Sequence, residues 1–477
     1  LNSYFPHKCI TQPATIFRDH ELAFSIGWIP RDSISQEPLF IDRLPIELLE
    51  RLISLGVKED YPGFLAVENL CVWRRVSQKW KNVIDDCPSL WSSIHTRKGT
   101  RHVRTLLEKS KGAPIDLLIR RSRIPALDGD WIQLLVENAH RWRSVTFIHY
   151  VKELAAKLGP SPLMLEYLEL QATRIPNDCK LFNLIRPNLR KLFLMETTIP
   201  HNFDPRLGLE DLHLRRVSEL MEDGTVHTLS TSKFHEFLQT NPNLRIFYVD
   251  YRTASPNVHG LQSVELPKLE KFMMFGSQVE TLGLFRASHC LAVHFRVRSI
   301  KETPPLGTWA TLAHTLRRVE RLQIDVGNAR LFIRDLGGPY KVDVLLFVSD
   351  ATDVDRQDLV YSMLKDILDE AEKDGQISAR VELALFATRE SGSEFDLNLE
   401  VLELLQTPVS HSPSRQSGWR IPNLDTIRML EPGLPYNHLR AFIQARSNGS
   451  DVGPITDVSI QRSTNYNYNR KEVLDEV

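Results

Sequence analysis

Leu44-Pro45-Ile46-Glu47-Leu48-Leu49-Glu50-Arg51-Leu52-Ile53 opens the most informative stretch of this chain, and Pro88-Ser89-Leu90-Trp91-Ser92-Ser93-Ile94 closes it. Between them stands Val76-Ser77-Gln78-Lys79-Trp80. Pro45 suits the first turn of a helix, where a backbone N–H has no intrahelical partner to lose. Behind it Leu48, Leu49, Leu52 and Ile53 recur at three- and four-residue spacing and make one apolar stripe. A second helical stretch carries Leu70, Trp73, Val76, Trp80 and Val83 or Ile84 on one side, with Arg74, Arg75, Lys79 and Lys81 between them. Two short helices cannot bury this much leucine and tryptophan against each other, so the surplus asks for a partner surface.

The pattern Leu-Pro-x-Glu-Leu, then Val-x-x-x-Trp, then Leu-Trp resembles the F-box over about fifty residues, and in particular the fungal, basidiomycete-type F-box proteins. Leu44, Pro45, Leu48, Leu49, Leu52, Val76, Trp80 and Trp91 match the family positions that shape the hairpin and its adaptor-binding face. Two features depart from the family. Ser77 stands where cysteine is common, and Gly56–Glu68, with Tyr61-Pro62-Gly63 at its centre, reads as an insertion between the helices. The competing reading is an ordinary helical hairpin inside a core. Downstream, Arg101 to Lys111 reads as a helix, Ile115–Ile119 as a strand, Asp130–His140 as a helix and Trp142–Ile148 as a strand. That order resembles the sequel of many fungal F-box proteins and extends the likeness to about residue 150.

An internal repeat follows. Pro187-Asn188-Leu189-Arg190-Lys191-Leu192-Phe193-Leu194 returns in kind at Pro242–Val249, Pro267–Met274 and Pro422–Met429. Units without the proline are Leu165-x-x-Leu168-x-Leu170, Leu209-x-x-Leu212-x-Leu214 and Val319-x-x-Leu322-x-Ile324, with a degenerate one at Val293–Val297. Leu170, Leu194, Leu214, Val249 and Met274 end successive units at intervals of 24, 20, 35 and 25 residues. In a strand the last two apolar positions point into the core and the residue between them points away. One such unit cannot cover its own apolar face, so several must stack. The repeat resembles the leucine-rich repeat, whose usual Asn or Cys after the strand is replaced here by Thr173, Thr197 and Val217. The resemblance implies an irregular horseshoe with helix-like returns such as His235–Gln239 and Trp309–Ala313; unrelated, leucine-rich α/β units are the alternative. On its concave face Glu169, Phe193, His213, Tyr248 and Met273 would take a partner.

Beyond residue 330, Lys341–Val348 and Val381–Ala387 read as strands and Asp355–Lys373 as a long helix started at Asp355 and stopped near Gly375. Ser410–Gly418 is a Ser/Pro-rich loop, and the tail from Gln461 is polar enough to be disordered.

Composition sets the bounds. With 42% hydrophobic and 25% charged residues the chain is composed like an ordinary globular protein. A formal net charge of -1 offers no global field for nucleic acid. No apolar run is long enough to span a membrane. Cys9, Cys71, Cys87, Cys179 and Cys290 have neither disulfide nor zinc spacing and fit a reducing compartment. The first methionine is Met164, so the sequence is expected to begin inside a longer one or to come from an incomplete gene model. Asn448-Gly449-Ser450 is read as a chance sequon. No phosphate loop, Gly-x-Ser-x-Gly elbow or His-Glu-x-x-His is present. His289, Cys290 and His294 lack paired-ligand spacing, and Asp350, Asp353 and Asp355 read as helix capping rather than a calcium loop. Asp369, Glu370, Glu372 and Asp374 read as a solvated helix end, and Arg296, Arg298 and Lys301 as a solvated edge.

The expectation is therefore an α/β protein. Residues 1–37 are an unassigned leader, 38–96 an F-box-like helical hairpin, and 97–435 an irregular leucine-rich-repeat solenoid of curved parallel sheet with outer helices. A partly disordered extension covers 436–477. The resemblance implies a non-enzymatic, cytoplasmic or nuclear substrate receptor of an SCF-type cullin–RING ubiquitin ligase. It would bind the Skp adaptor, the cullin through it, and a target protein, with no cofactor, nucleic acid or membrane. The alternative is a repeat scaffold with no ligase role.

Overall fold

A computed structural model describes residues 43–59, 66–96, 99–120, 130–149, 164–175, 188–251, 261–276, 279–300, 304, 307–327, 329–348, 353–373, 377–385, 397–406, 421–430, 436–448 and 453–461. Three helices come first: α1 (Ile46–Glu59), α2 (Ala66–Trp73) and α3 (Gln78–Asp86). A 3-10 turn, Pro88–Trp91, then delivers the chain to β1 (Ser93–His95). Next come β2 (Ile115–Arg120), β3 (Trp142–Ile148), β4 (Tyr167–Gln171) and β5 (Lys191–Met195). They are followed by β6 (Asp211–Arg215), β7 (Ile246–Tyr251), β8 (Lys271–Gly276) and β9 (Ala292–Ile300). These nine strands lie side by side in chain order, each parallel to the next. Crossover helices include α4 (Thr100–Ser110) before β2, α5 (Asp130–Glu137) before β3 and α6 (Thr231–Thr240) before β7.

The alternation read from the sequence fixes which face is buried. Leu168, Leu192, Leu212 and Phe247 stand in one register row, and Leu170, Leu194, Leu214 and Val249 in the next. All eight are essentially inaccessible to solvent, as the repeat predicts. The helices cover this face: Phe234 of α6 packs on Phe247 with ring centroids 5.6 Å apart. Each buried leucine contributes roughly 1.5–3 kcal/mol, but only because neighbouring strands and helices complete its surroundings.

Two backbone devices repeat with the strands. At the strand entrances, single carbonyls accept two N–H groups from the following unit. Arg190 and Lys191 both donate to Glu166 O, Glu210 and Asp211 to Arg190 O, and Arg245 and Ile246 to Glu210 O. At the exits, His149, Ala172, Glu196 and Arg216 adopt left-handed backbone with φ of 64°, 46°, 51° and 49°. Their N–H groups donate to Gln171, Met195, Arg215 and Asp250 O, extending the ladder by one bond beyond each strand. A left-handed non-glycine residue costs about 1–2 kcal/mol, which the added hydrogen bond offsets. Thr197, one of the residues in place of the usual Asn, is fully buried and its hydroxyl reaches Leu170 O at 2.8 Å and Met195 O at 3.0 Å. Thr173 makes the shorter version of the same contact, to Gln171 O at 2.9 Å.

The second half departs from a uniform parallel series. After β9 and α7 (Ala310–Leu316) come β10 (Arg321–Gly327), β11 (Arg330–Asp335) and β12 (Lys341–Val348). Then α8 (Asp353–Glu372), β13 (Arg380–Leu385), α9 (Leu397–Gln406), β14 (Leu424–Leu430), α10 (Tyr436–Ser447) and β15 (Asp457–Gln461) complete the chain. The sheet order is β9-β12-β11-β10-β13-β14-β15, and β11 is antiparallel to both its neighbours. The expectation of parallel strands throughout is corrected here for a geometric reason. Only residues 328–329 and 336–340 link these strands, far too few for a parallel crossover, which needs about a dozen. Gly337 and Gly338, at φ 157° and 103°, make the second hairpin turn. The sheet also begins before residue 97 and runs past 435, because β1 pairs with β2 and β15 pairs with β14. Helix α8 starts at Asp353, which puts Asp355 in its first turn rather than ahead of it. Gly375, Ser410–Gly418, residues 1–37 and the tail beyond 461 lie outside the described residues.

Replacing Thr197 by Val removes a buried donor while keeping the shape. The urea midpoint should fall by the equivalent of about 1 kcal/mol, whereas Thr228→Val, at an exposed site, should leave it within about 0.5 kcal/mol.

Candidate functional site

Helix α1 carries two adjacent apolar stripes that meet different fates. Leu49 and Ile53 are fully buried against Leu70, Val83 and Ile84. Leu48, Leu52 and Leu55 are half exposed to solvent. The helix is longer than the sequence reading allowed: it continues through Gly56 to Glu59, and α2 begins at Ala66. The inserted stretch expected at 56–68 is therefore largely helical, leaving residues 60–65 between the two. Gly56 permits this, because a Cβ there would come within 2.6 Å of the Trp73 ring on α2. The helices cross at that contact, and Leu55 and Val72 are its sequence neighbours.

The second helical stretch is two helices, not one. Arg74–Val76 form a turn, and Ser77, in extended conformation, caps α3 by accepting from the Trp80 N–H at 3.3 Å. The break turns Val76 away from Leu70 and leaves it 53% exposed, while Val72, still within α2, is 61% exposed. Among the described residues ten large apolar side chains are exposed, and Ile46, Leu48, Leu52, Leu55, Val72 and Val76 are six of them. Exposed apolar side chains concentrated in this way are a feature of surfaces that meet partners.

The expected adaptor residues divide accordingly. Leu48, Leu52 and Val76 are exposed, Pro45 is exposed, and Leu44 is partly so. Leu49 and Trp91 are corrected from the contact surface to the core, at 0% and 3% exposure. Trp80 is half-buried, edge-on to Trp73 with centroids 6.3 Å apart. Ile46, Leu55 and Val72 are exposed as well, and nothing in their sequence surroundings singles them out. Lys79 Nζ donates to Leu44 O at 2.7 Å and ties α3 to the start of α1.

Trp91 joins the bundle to the sheet. Its Nε1 donates to Ile84 O at 2.7 Å, and Lys109 of α4 places Nζ 3.8 Å from the ring centroid. Asp85 binds Lys109 at 3.0 Å and Arg74 at 2.7 Å. Burial pushes the Asp85 carboxyl up, but the hydrogen bonds and charges of those two cations outweigh it and hold it below its ordinary value. On the other side of α1, Ile46, Glu50, Lys79, Val83 and Cys87 line a groove of about 840 Å³. The Cys87 thiol donates to Glu50 at 2.8 Å. Burial, with Glu50's hydrogen bond, pushes this thiol up and disfavours the thiolate.

The open face of the sheet carries the expected partner residues in a single register row: Glu169, Phe193, His213, Tyr248 and Met273. His213 lies between Phe193, at 3.9 Å, and Tyr248, at 5.2 Å, both stacked. Asp211 Oδ1 lies 2.9 Å from its Nε2. Tyr167 and Phe275, not singled out in the sequence, extend the aromatic row at 5.0 Å and 5.5 Å. Glu169 is already occupied, accepting from Thr146, Tyr167 and Gln171. Burial, then the Glu169 charge, pushes the Tyr167 hydroxyl far above its ordinary value, so it remains a donor. No nucleophile–base pair stands among these side chains.

Exposed His289, buried Cys290 and His294 do not converge: the thiol donates to Ala292 O, and His294 faces Asp343. Among the described residues no group of three metal-ligating side chains occurs, and no helix is long and apolar enough to cross a membrane. Compared with known proteins, the chain matches no family model and no curated protein.

The split of α1 gives a direct contrast. Leu49→Ala should destabilise by about 2–5 kcal/mol in urea unfolding, and Leu52→Ala by less than about 0.5 kcal/mol. Asp85 sets a pH dependence. Its folded value is lowered, so its contribution is present above the unfolded value near 4 and lost as pH falls through the folded one. The stability gap between wild type and Asp85→Asn should hold at about pH 6 and narrow as pH falls below the unfolded value near 4.

Proposed function

We propose that this chain is the substrate-receptor subunit of an SCF-type cullin–RING ubiquitin ligase. The α1–α3 bundle acts as an F-box that holds the Skp adaptor and, through it, the cullin. The following sheet acts as an irregular leucine-rich-repeat scaffold that presents its open face to a target protein. The chain performs no chemistry of its own, since transfer of ubiquitin belongs to other subunits, and it works in the cytoplasm or nucleus without a cofactor. The observation that carries this reading is the concentration of exposed apolar side chains on the segment with the Leu-Pro-x-Glu-Leu motif. A bundle built only as a core would not turn one of its two α1 stripes to water.

Co-expression of the chain with a Skp adaptor, followed by affinity capture, tests this. The wild type should retain the adaptor at micromolar concentration. Leu48→Asp with Leu52→Asp should weaken it by about 30- to 1000-fold, the equivalent of losing about 2–4 kcal/mol of hot-spot contact. The thermal melt should stay within a few degrees, because both positions are exposed. Trp80→Ala should also weaken capture, but with a lower melt, since its ring packs on Trp73. A wild type that fails to hold the adaptor would leave a repeat scaffold with no ligase role.

A further inference from the structure

The open face changes character from β9 onward. Arg296 on β9, Arg321 on β10, Arg334 on β11 and Arg428 on β14 are all exposed on it, because their strand neighbours Phe295, Leu322, Ile333 and Ile427 are buried on the opposite face. The register runs Arg296, Leu345, Phe332, Asp325, Ala384, Arg428 straight across six strands. Phe275 lies beneath Arg296, 6.0 Å from its guanidinium, and Phe332 beside Arg334 at 5.4 Å.

The carboxylates on this surface do not match the arginines. Glu382 is shared, with Arg321 and Arg428 each at 3.2 Å. Arg334 spends two of its donors on the neutral amide of Gln323, at 2.9 and 2.7 Å. Arg296 has Asp343 at 3.2 Å. Asp325 sits between Phe332 and Ala384, and burial pushes its carboxyl up although Arg334, Arg330 and Arg428 lie around it. Arg330 and Arg380 add two more exposed cations on the same strands' open side. On the open face of β9 to β14, Arg296, Arg321, Arg330, Arg334, Arg380 and Arg428 outnumber Asp325, Asp343 and Glu382, a local excess of cations in a chain whose net charge is -1.

We infer that this arginine-and-phenylalanine surface binds an extended acidic polypeptide segment, whose carboxylate or phosphate oxygens sit against Arg296, Arg334 and Arg428. The inference rests on the receptor reading and names the chemistry of the target that it leaves open. Five strand spacings separate Arg296 from Arg428, about 24 Å, which an extended segment of about seven residues spans. Guanidinium groups suit both anions, since their fork matches two oxygens at once. A nucleic acid fits less well. Asp343 and Glu382 stand among the arginines and would repel an unbroken phosphate chain, whereas a peptide can space its acids to avoid them.

The test uses the immobilised full-length chain and four fluorescent probes. One is a pool of randomised nine-residue peptides with aspartate or glutamate fixed at three positions. The others are the same pool with asparagine or glutamine there, the same pool with phosphoserine there, and an oligouridine. The acidic pool should be retained about tenfold over the amide pool at low salt and lose most of that margin near 0.5 M. The triple change Arg296→Gln, Arg334→Gln, Arg428→Gln should abolish the margin without moving the melt. Phosphoserine retained well beyond aspartate identifies phosphate as the source; equal retention identifies carboxylate. Equal retention of acidic and amide pools overturns the inference. So does a margin that survives the triple change, or displacement of the acidic pool by oligouridine. Adaptor capture is measured in parallel. Acidic selectivity lost with the adaptor retained sinks only this surface, and the reverse outcome sinks the receptor reading.

Discussion

No strand of this protein can shelter its own apolar row, and that constraint governs the whole sheet. A leucine such as Leu192 becomes buried only when Leu168 and Leu212 arrive on either side of it. The register must therefore be held strand by strand. Shared carbonyls do this at the entrances, where Glu166, Arg190 and Glu210 each accept two N–H groups. Their side chains alternate in sign along the same edge, and Arg190 pairs with Glu210 just as Arg245 pairs with Glu270. The left-handed residues at the exits close the other end. With both ends pinned, the side chains that point away from the core have no freedom of register either. The aromatic row and the arginine field are by-products of burying leucine on the opposite face.

The bundle depends on a different kind of contact. Trp91 is a core residue of the helices and at the same time the floor on which Lys109 of the first crossover helix rests. Asp85 pairs with that lysine and with Arg74 at once. Because the link is made through buried tryptophan and a shared carboxylate rather than a free linker, α1 to α3 are held in a fixed orientation to the first strands. The polar contacts supply direction, while the apolar ones supply most of the free energy.

Much of this was legible beforehand, and the reasons are local. The Leu-x-x-Leu-x-Leu units state their own periodicity, so the buried positions from Leu168 to Val249 could be named from spacing alone. Strands at Trp142–Ile148 and Lys341–Val348 were bounded correctly. What spacing could not reveal was direction. Val319–Ile324 and Lys341–Val348 do run in the same direction, but Arg330–Asp335 folds back between them as an antiparallel strand; Gly337-Gly338 was the available sign. Nor did periodicity separate the two faces of α1, since Leu48 and Leu49 are equally apolar. Burial there is decided by where α2 and α3 pack, through a contact of Gly56 with Trp73 that is remote in sequence. Left-handed Ala172, Glu196 and Arg216 carried no signal at all, being residue types that seldom adopt that conformation.

The reversed order of β10, β11 and β12 bears on how the molecule is made. From β1 to β9 each strand leaves the ribosome with its template already in place, so growth can be sequential. Strand β10 does not: its eventual neighbours are β11 and β13, both still unsynthesised when it emerges. The chain must run ahead, turn back twice and return to β9 through β12 before the sheet is continuous. Continuity of the sheet then hangs on one seam, β9 against β12, which itself carries a register irregularity between Val297 and Ile300. The protein is thus assembled as a templated series followed by a block that must form its own nucleus, the two joined by the pairing of β9 with β12.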